Sequence, residues 1–129
     1  MPEFGKRSKS CLSEAHIDLQ KVFNIVIQIY DCSVICGHRG RAEQNKAYDK
    51  GNSKLRYPDS KHNKQPSQAV DAVPYPIDWN DINRFKELAG HVKMCAYILY
   101  SRGEINHLIR WGGDWKSFKD YPHYEIYKP

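Results

Sequence analysis

One stretch of the sequence limits the possible folds more than any other, because it puts a carboxylate inside an apolar strand. The run Ala69–Val73 is apolar except for Asp71. Burying an ionised carboxylate is costly unless a positive charge compensates it. The residues at 60–68 are polar, and Pro66 excludes a helix or a central strand there because it fixes φ and has no N–H to donate. We therefore expect the loop to bring His62 close to Asp71, so that both side chains contact the same positively charged group.

The residue types in this stretch and near the C-terminus predict a metal site. Zinc in hydrolases usually takes three protein ligands from His, Asp and Glu and leaves a fourth position for water. His62 and Asp71 supply two ligands, and His123 offers a third at the start of a predicted strand. Asp120 lies three residues before His123 across a turn with Pro122, so it places an acid beside the metal without ligating it. The alternative is a solvated loop histidine at position 62 and a strand-end cap at Asp71.

The bulk composition fits a soluble globular protein of one domain. The chain has 129 residues, of which 27% are charged and 40% hydrophobic, and this length can bury a core without disulfide bonds. No apolar window approaches the roughly eighteen residues of a membrane span. Residues 1–14 include basic side chains but no apolar run after them, so we expect no secretory signal and a protein made in a cytoplasm.

The net charge of +5 favours an anionic partner, such as nucleic acid, phosphate-rich lipid or an acidic cell-wall polymer. The lysines are scattered, and the aromatic residues do not interleave with a basic stripe. Because the chain also has no recognised DNA-binding motif, we expect no nucleic-acid binding.

The four cysteines form no CxxC pair. Cys32 and Cys36 alternate with Val34 along a predicted strand, which would put all three side chains on one face. We expect ordinary buried thiols, with a disulfide or a metal role as the alternative, because a cytosol disfavours disulfides.

Hydrophobic periodicity predicts a mixed fold. Apolar residues at helical spacing predict two long helices, at about 14–30 after an N-cap at Ser13 and at about 80–101. Shorter runs predict one helix and four strands, at residues 42–50, 32–36, 69–73, 108–111 and 123–127. We therefore expect an α+β fold with a small, mostly antiparallel sheet flanked by helices. Residues 1–12 are expected to form an N-terminal arm with little structure of its own, which leaves 13–129 as one domain.

Taken in order, several short motifs resemble the zinc peptidases of the D-alanyl-D-alanine peptidase type. This family includes the vancomycin-resistance D,D-peptidases and the L-alanyl-D-glutamate endolysins of tailed phages. The motifs shared with the family are Ser60-x-His62, Ala69-Val70-Asp71 and Asp120-x-x-His123. Those that match the phage branch are Gly37-His38-Arg39, Gln44 and Trp111-Gly112-Gly113-Asp114-Trp115. The likeness runs from about residue 13 to 126 and implies a fold similar to hedgehog and the D-alanyl-D-alanine peptidases.

The resemblance implies that His62, Asp71 and His123 bind zinc and that Asp120 is the general base. The chain departs from the family's pattern in two ways. The spacer between His62 and Asp71 is longer than in the better-known members, and Asp120 stands where many relatives carry glutamate. Aspartate is one methylene shorter, so the backbone must approach the attacking water more closely, and the phage branch resembles this chain in that respect.

The resemblance also implies roles for residues around the metal. Arg39 resembles the arginine that stabilises the developing oxyanion, although a solvated loop arginine is the alternative. Ser60 and Gln44 are expected to position substrate or to support the loop. Of the other histidines, His16 has no evident acidic partner, and His107 could lie behind the ligands without ligating.

The expected function is therefore that of an endolysin that hydrolyses the L-alanyl-D-glutamate bond of peptidoglycan stem peptides. We expect a monomer that reaches the anionic envelope through its overall charge, after release from the host cytoplasm to the cell wall. Two alternatives stay open at this point. One is a D-alanyl-D-alanine carboxypeptidase or dipeptidase with the same zinc site, and the other is a zinc-bearing wall-binding module without catalysis.

Overall fold

The computed structural model describes residues 2–129 of the chain. Within that range, the structure has four α-helices, four β-strands and two short 3-10 turns. The helices are α1 (Lys6–Ser13), α2 (Ile17–Ile29), α3 (Arg41–Asp49) and α4 (Ile82–Ser101). The strands are β1 (Cys32–Cys36), β2 (Ala69–Pro74), β3 (Leu108–Trp111) and β4 (His123–Tyr127). The 3-10 turns are Lys61–Asn63 and Gly112–Asp114.

The four strands form one sheet in the order β1-β2-β4-β3, and every neighbouring pair is antiparallel. The prediction of an α+β fold with a small antiparallel sheet flanked by helices is confirmed. The central strands β2 and β4 are joined by the longest stretch of chain between paired strands, and α4 lies within it.

Alternation along the two central strands separates the core from the opposite face of the sheet. Val70 of β2 pairs with Tyr124 of β4, and both side chains are fully buried. They pack with the apolar sides of α2 and α4, which contribute residues such as Phe23 and Phe85 to the same core. Because successive side chains of a strand point to opposite faces, Asp71 and its neighbours on β4 face away from this core.

The expectation that residues 1–12 form an arm with little structure of its own is wrong for the residues of α1. Leu12 is buried in the core, and the Ser8 hydroxyl accepts the backbone N–H of Val34 at 3.0 Å, which fastens α1 to β1. A Cβ at Gly37 would collide with the carbonyl oxygen of Cys11, so a glycine is required where the two segments meet. The helix is only eight residues long and mostly polar, so it has too few apolar positions to show a periodicity.

The predicted start of the next helix is also wrong by a few residues. The Ser13 hydroxyl donates to the carbonyl of Ser10 within α1 instead of capping α2. The N-cap of α2 is His16, whose Nδ1 accepts the backbone N–H of Asp18 at 3.0 Å. An imidazole nitrogen can replace the usual hydroxyl or carboxylate as an acceptor for an unpaired N–H of the first turn.

The four cysteines are free thiols. Cys32 and Cys95 are buried as expected, whereas Cys11 and Cys36 are only partly buried. The register of β1 shifts between Val34 and Cys36, so the strand is irregular at the point where the prediction assumed simple alternation. As for membrane insertion, no helix within residues 2–129 is long and apolar enough to cross a bilayer.

Asp18 joins the start of α2 to the loop before β3. Its Oδ2 atom is 2.7 Å from Nδ1 of His107 and accepts the backbone N–H of Asn106 at 2.9 Å. Burial opposes ionisation, but hydrogen bonds from His107 and Asn106 outweigh it and lower the pKa of Asp18. His16 also lies 3.9 Å from this carboxylate, so the expectation that His16 has no acidic partner is wrong. The 2.7 Å hydrogen bond between Asp18 and His107 links α2 to the loop before β3, and the three residues are also a group that could hold a metal ion.

Replacing Asp18 by asparagine is expected to destabilise the fold by about 1–3 kcal/mol, because a buried donor loses a charged acceptor. The pKa of Asp18 is lower in the folded protein than in the unfolded chain. The ionised carboxylate therefore stabilises the fold fully at pH values above the unfolded pKa. This stabilisation is lost as the pH falls through the folded pKa. Urea unfolding at pH 7 and at about pH 3 measures both effects. The exposed Asp49→Asn is the control, and equal stability losses in the two variants would refute the link.

Candidate functional site

The three residues predicted to bind metal lie together on the face of the sheet opposite the core. Nε2 of His62 and Nδ1 of His123 are 3.2 Å and 3.7 Å from Oδ1 of Asp71. The three side chains form a group whose donor atoms lie within 4.8 Å of one another and could hold a metal ion. Zinc bonded tetrahedrally to N and O donors at its usual distances separates them by about 3.3 Å, so the observed spacing fits.

Regular structure fixes each of these side chains. Asp71 and His123 are directly opposite each other in the β2–β4 pair, so their side chains share one face. His62 lies in the 3-10 turn Lys61–Asn63, where the Ser60 hydroxyl accepts its backbone N–H at 3.2 Å. Its Nδ1 donates to the carbonyl of Gly37 at 2.8 Å, which leaves the lone pair of Nε2 directed at Asp71.

The electrostatics of this group fit a bound cation. Burial opposes ionisation of Asp71, but His62 and His123 together lower its pKa well below the usual range. Burial would lower the pKa of His62, yet the charge of Asp71 raises it. A half-buried carboxylate therefore draws positive charge onto its histidine neighbours, and a divalent ion would supply that charge while leaving both rings neutral. The donor set of two imidazoles and one carboxylate is one that zinc takes in catalytic sites.

Asp120 lies beside the three donors. Its Oδ2 atom is 4.0 Å from Nδ1 of His123, and the turn is held by backbone bonds from His123 to Asp120 and from Asp120 to Gly112. A Cβ at Gly112 would collide with the carbonyl oxygen of Asp120, so only glycine allows this approach. Burial and the charge of Asp71 raise the pKa of Asp120 to about 6. A carboxyl group with a pKa close to neutrality suits proton transfer.

Arg39 contacts the group from the loop after β1. Its Nη2 donates to Oδ2 of Asp71 at 3.2 Å, and its Nη1 donates to Oε1 of Gln44 at 3.1 Å. Its backbone N–H also donates to the carbonyl of His62 at 2.8 Å. The side chain is therefore held between Asp71 and Gln44, unlike a solvated loop arginine, and it still reaches the cleft.

The structure places Gln44 and Ser60 as supports of the loop. Gln44 is completely buried, and its amide nitrogen donates to the Ser53 hydroxyl and to the carbonyl of Leu55. Because no part of the Gln44 side chain reaches solvent, the structure favours the loop-supporting one of its two predicted roles, and a role towards substrate stays a prediction. Ser60 lines the cleft, but only 5% of it is exposed and its hydroxyl caps the turn that carries His62.

A cleft of about 460 Å³ opens over the donor group. His62, His123 and Asp120 lie in its wall, and one side is formed by the loop with Trp115 and Phe118. Trp115 packs against the ring of His123, with 5.1 Å between centroids. Lys54, Lys61 and Lys116 line other parts of the cleft.

One residue of this site was missed by the sequence reasoning. Oε1 of Glu125 is 2.7 Å from Nε2 of His123. The signal was present, because Glu125 is two residues after His123 on a strand, and such residues share a face. The other cluster of the same residue types, His16 with Asp18 and His107, also escaped the prediction, since His107 is distant in sequence from the other two.

A His–Asp–His donor set that could hold a metal ion, with a carboxyl group beside it at the wall of an open cleft, is an arrangement that metal-dependent hydrolases use. A family model described as phage L-alanyl-D-glutamate peptidase matches residues 2–128. The chain is also similar to the crystal structure of the L-Ala D-Glu endopeptidase ChiX of Serratia marcescens, with 27% sequence identity and a TM-score of 0.79. That match covers 97% of this chain and 90% of the other.

The protein belongs to the phage L-alanyl-D-glutamate peptidase family. It is a peptidoglycan peptidase, as the sequence analysis predicted. The likeness extends over nearly the whole chain and includes α1, so the structured N-terminal helix is part of the matched region.

Proposed function

We propose that the protein is a zinc-dependent endolysin that hydrolyses the L-alanyl-D-glutamate bond of peptidoglycan stem peptides. The observation that carries the proposal is the donor group of His62, Asp71 and His123, with Asp120 at 4.0 Å from His123. The proposed ligands are these two histidines and Asp71, and the proposed general base is Asp120. Family membership supports the choice of bond.

The reaction needs a nucleophile at neutral pH and a proton carrier. When bound, zinc makes a coordinated water more acidic and polarises the substrate carbonyl. Asp120 accepts a proton from the attacking water and later delivers it to the leaving amine. Its position on the turn before β4, fixed by the bond from its N–H to Gly112, keeps the carboxyl group next to the ligands.

Arg39 is proposed to stabilise the oxyanion that develops on the scissile carbonyl. Its guanidinium is held by Gln44 and Asp71 at the edge of the cleft, so little reorganisation is needed when the charge appears. A preorganised donor of this kind is typically worth about 3 kcal/mol in the transition state. Gln44 and Ser60 support this arrangement by fixing Arg39 and the His62 turn.

The proposed partner is the peptidoglycan stem peptide, reached by electrostatic attraction to the anionic envelope. The net charge of +5 supports this step. One chain supplies every residue of the site, so the proposed active form is a monomer. We place its action at the host cell wall, after release from the cytoplasm.

The function is tested by digesting purified muropeptides with the zinc-loaded protein and analysing the products by mass spectrometry. We expect L-alanine to remain linked to muramic acid, with the rest of the stem peptide released, and about one zinc per chain by elemental analysis. Loss of a terminal D-alanine would instead identify a D-alanyl-D-alanine carboxypeptidase. Zinc binding without any cleavage would identify a non-catalytic module.

The same assay tests the role of charge. Lysis of whole walls should weaken as salt rises, because salt screens the attraction between exposed charges. Hydrolysis of a short soluble stem peptide should change little. Wall lysis that is unaffected by salt would contradict the electrostatic step and leave the peptidase assignment untouched.

A further inference from the structure

Glu125 is a mostly buried acid on β4, and one of its carboxylate oxygens contacts a proposed ligand of the site. Its Oε1 atom accepts a hydrogen bond from Nε2 of His123 at 2.7 Å. The Oε2 atom lies 3.3 Å from Nζ of Lys61 and 3.7 Å from Nη1 of Arg110. Only 12% of the side chain is exposed, so little of the carboxylate is open to water.

The contact with His123 decides which nitrogen of that ring is free. A neutral imidazole has one N–H and one lone pair, and a carboxylate can only accept a hydrogen bond. With Nε2–H donated to Glu125, the lone pair of His123 is on Nδ1, the atom that faces Asp71 at 3.7 Å. The opposite tautomer would put an N–H where a ligand lone pair is needed.

Lys61 connects this contact to the other histidine. Its ammonium group pairs with Glu125 and donates to the carbonyl of Ile126 at 2.7 Å, both on β4. Lys61 is also the neighbour of His62 in the 3-10 turn. The Glu125 carboxylate therefore fastens the turn that carries one histidine to the strand that carries the other.

We propose that Glu125 is a positioning residue: its carboxylate fixes the ring orientation and the tautomer of His123, and through Lys61 it holds the two histidines at ligand spacing. The proposal rests on the proposed function in one respect, which is that the donor group binds zinc. His62 is held in a parallel way, since its far nitrogen donates to the carbonyl of Gly37. Outer partners of this kind typically contribute 10–100-fold to metal affinity.

The test compares Glu125→Ala and Glu125→Gln with the wild type, and Glu104→Ala serves as the matched control because Glu104 pairs with Arg102 at the surface, outside the cleft. Zinc affinity is measured by competition with a chromophoric chelator. We expect Glu125→Ala to bind zinc about 10–100-fold more weakly. We expect Glu125→Gln to recover part of the loss, because the amide oxygen still accepts the N–H of His123, and Glu104→Ala to match the wild type.

A second measurement reads the tautomer directly. In nitrogen-15 NMR spectra of the zinc-free protein, recorded at alkaline pH so that the His123 ring is neutral, the wild type and Glu125→Gln should show His123 with its proton on Nε2, whereas Glu125→Ala should show a mixture. Wild-type zinc affinity in Glu125→Ala, an equal loss in Glu125→Gln, or an unchanged tautomer would each overturn the proposal. If the wild type binds zinc but cleaves no stem peptide, the proposed function fails while this inference stands.

Discussion

Replacing Asp120 by asparagine is expected to lower the rate of stem-peptide hydrolysis by about 10²–10⁴-fold and to leave zinc binding intact. The amide has nearly the same shape as the carboxyl group, but it cannot accept the proton of the attacking water. Asp120 does not belong to the donor group of His62, Asp71 and His123, so its loss should not release the metal. Activity on a soluble stem peptide and zinc content after gel filtration measure the two effects in one preparation.

The matched control for this variant is Asp114→Asn, since Asp114 lies in the same segment of chain. Its carboxylate is half exposed and pairs with Lys93, so it touches none of the proposed ligands. We expect the control to retain wild-type activity. Full activity in Asp120→Asn would show that another group is the base, whereas loss of zinc would make Asp120 a ligand.

Replacing His62 by alanine is expected to abolish both zinc binding and hydrolysis. The change removes one of the three proposed ligands, so the loss of affinity should exceed the roughly 100-fold that follows removal of an outer partner. It also removes the imidazole that lies 3.2 Å from Asp71, although Arg39 remains at the same distance. The measurement is zinc stoichiometry by elemental analysis, with circular dichroism to check that the variant is folded.

His91→Ala is the control for this experiment, because His91 lies on α4 and packs against Tyr30. It should bind zinc and hydrolyse substrate as the wild type does. A His62→Ala protein that still holds one zinc at wild-type affinity would remove His62 from the ligand set. In that case the His16, Asp18 and His107 cluster becomes the next place to look for the ion.

Local patterns were sufficient to predict most of the fold. The apolar runs of β1 to β4 and the helical spacing of α2 and α4 give elements within about three residues of their bounds. The proposed ligands were found for the same reason: an acid in an apolar strand and a histidine at a strand start are visible without knowing the pairing. The register that makes Asp71 face His123 then brings them together.

Features that depend on tertiary contact were not predictable in this way. The burial of Gln44 follows from its contacts with Arg39 and Leu55, and a polar residue on a short helix gives no sign of it in the sequence. The helix α1 has too few apolar residues to be recognised alone, and packing against β1 stabilises it. The link between Asp18 and His107 joins residues far apart in the chain, so spacing gives no sign of it.

The division of the donor group between distant segments has a thermodynamic consequence. His62 comes from a turn, and Asp71 and His123 come from strands joined by a long stretch of chain. In the unfolded polypeptide these three side chains are therefore not held close enough together to bind one ion. An ion that binds all three selects the native state, and its binding free energy adds to the free energy of unfolding. If zinc binds as proposed, the free energy of unfolding of this small domain depends on the free zinc concentration.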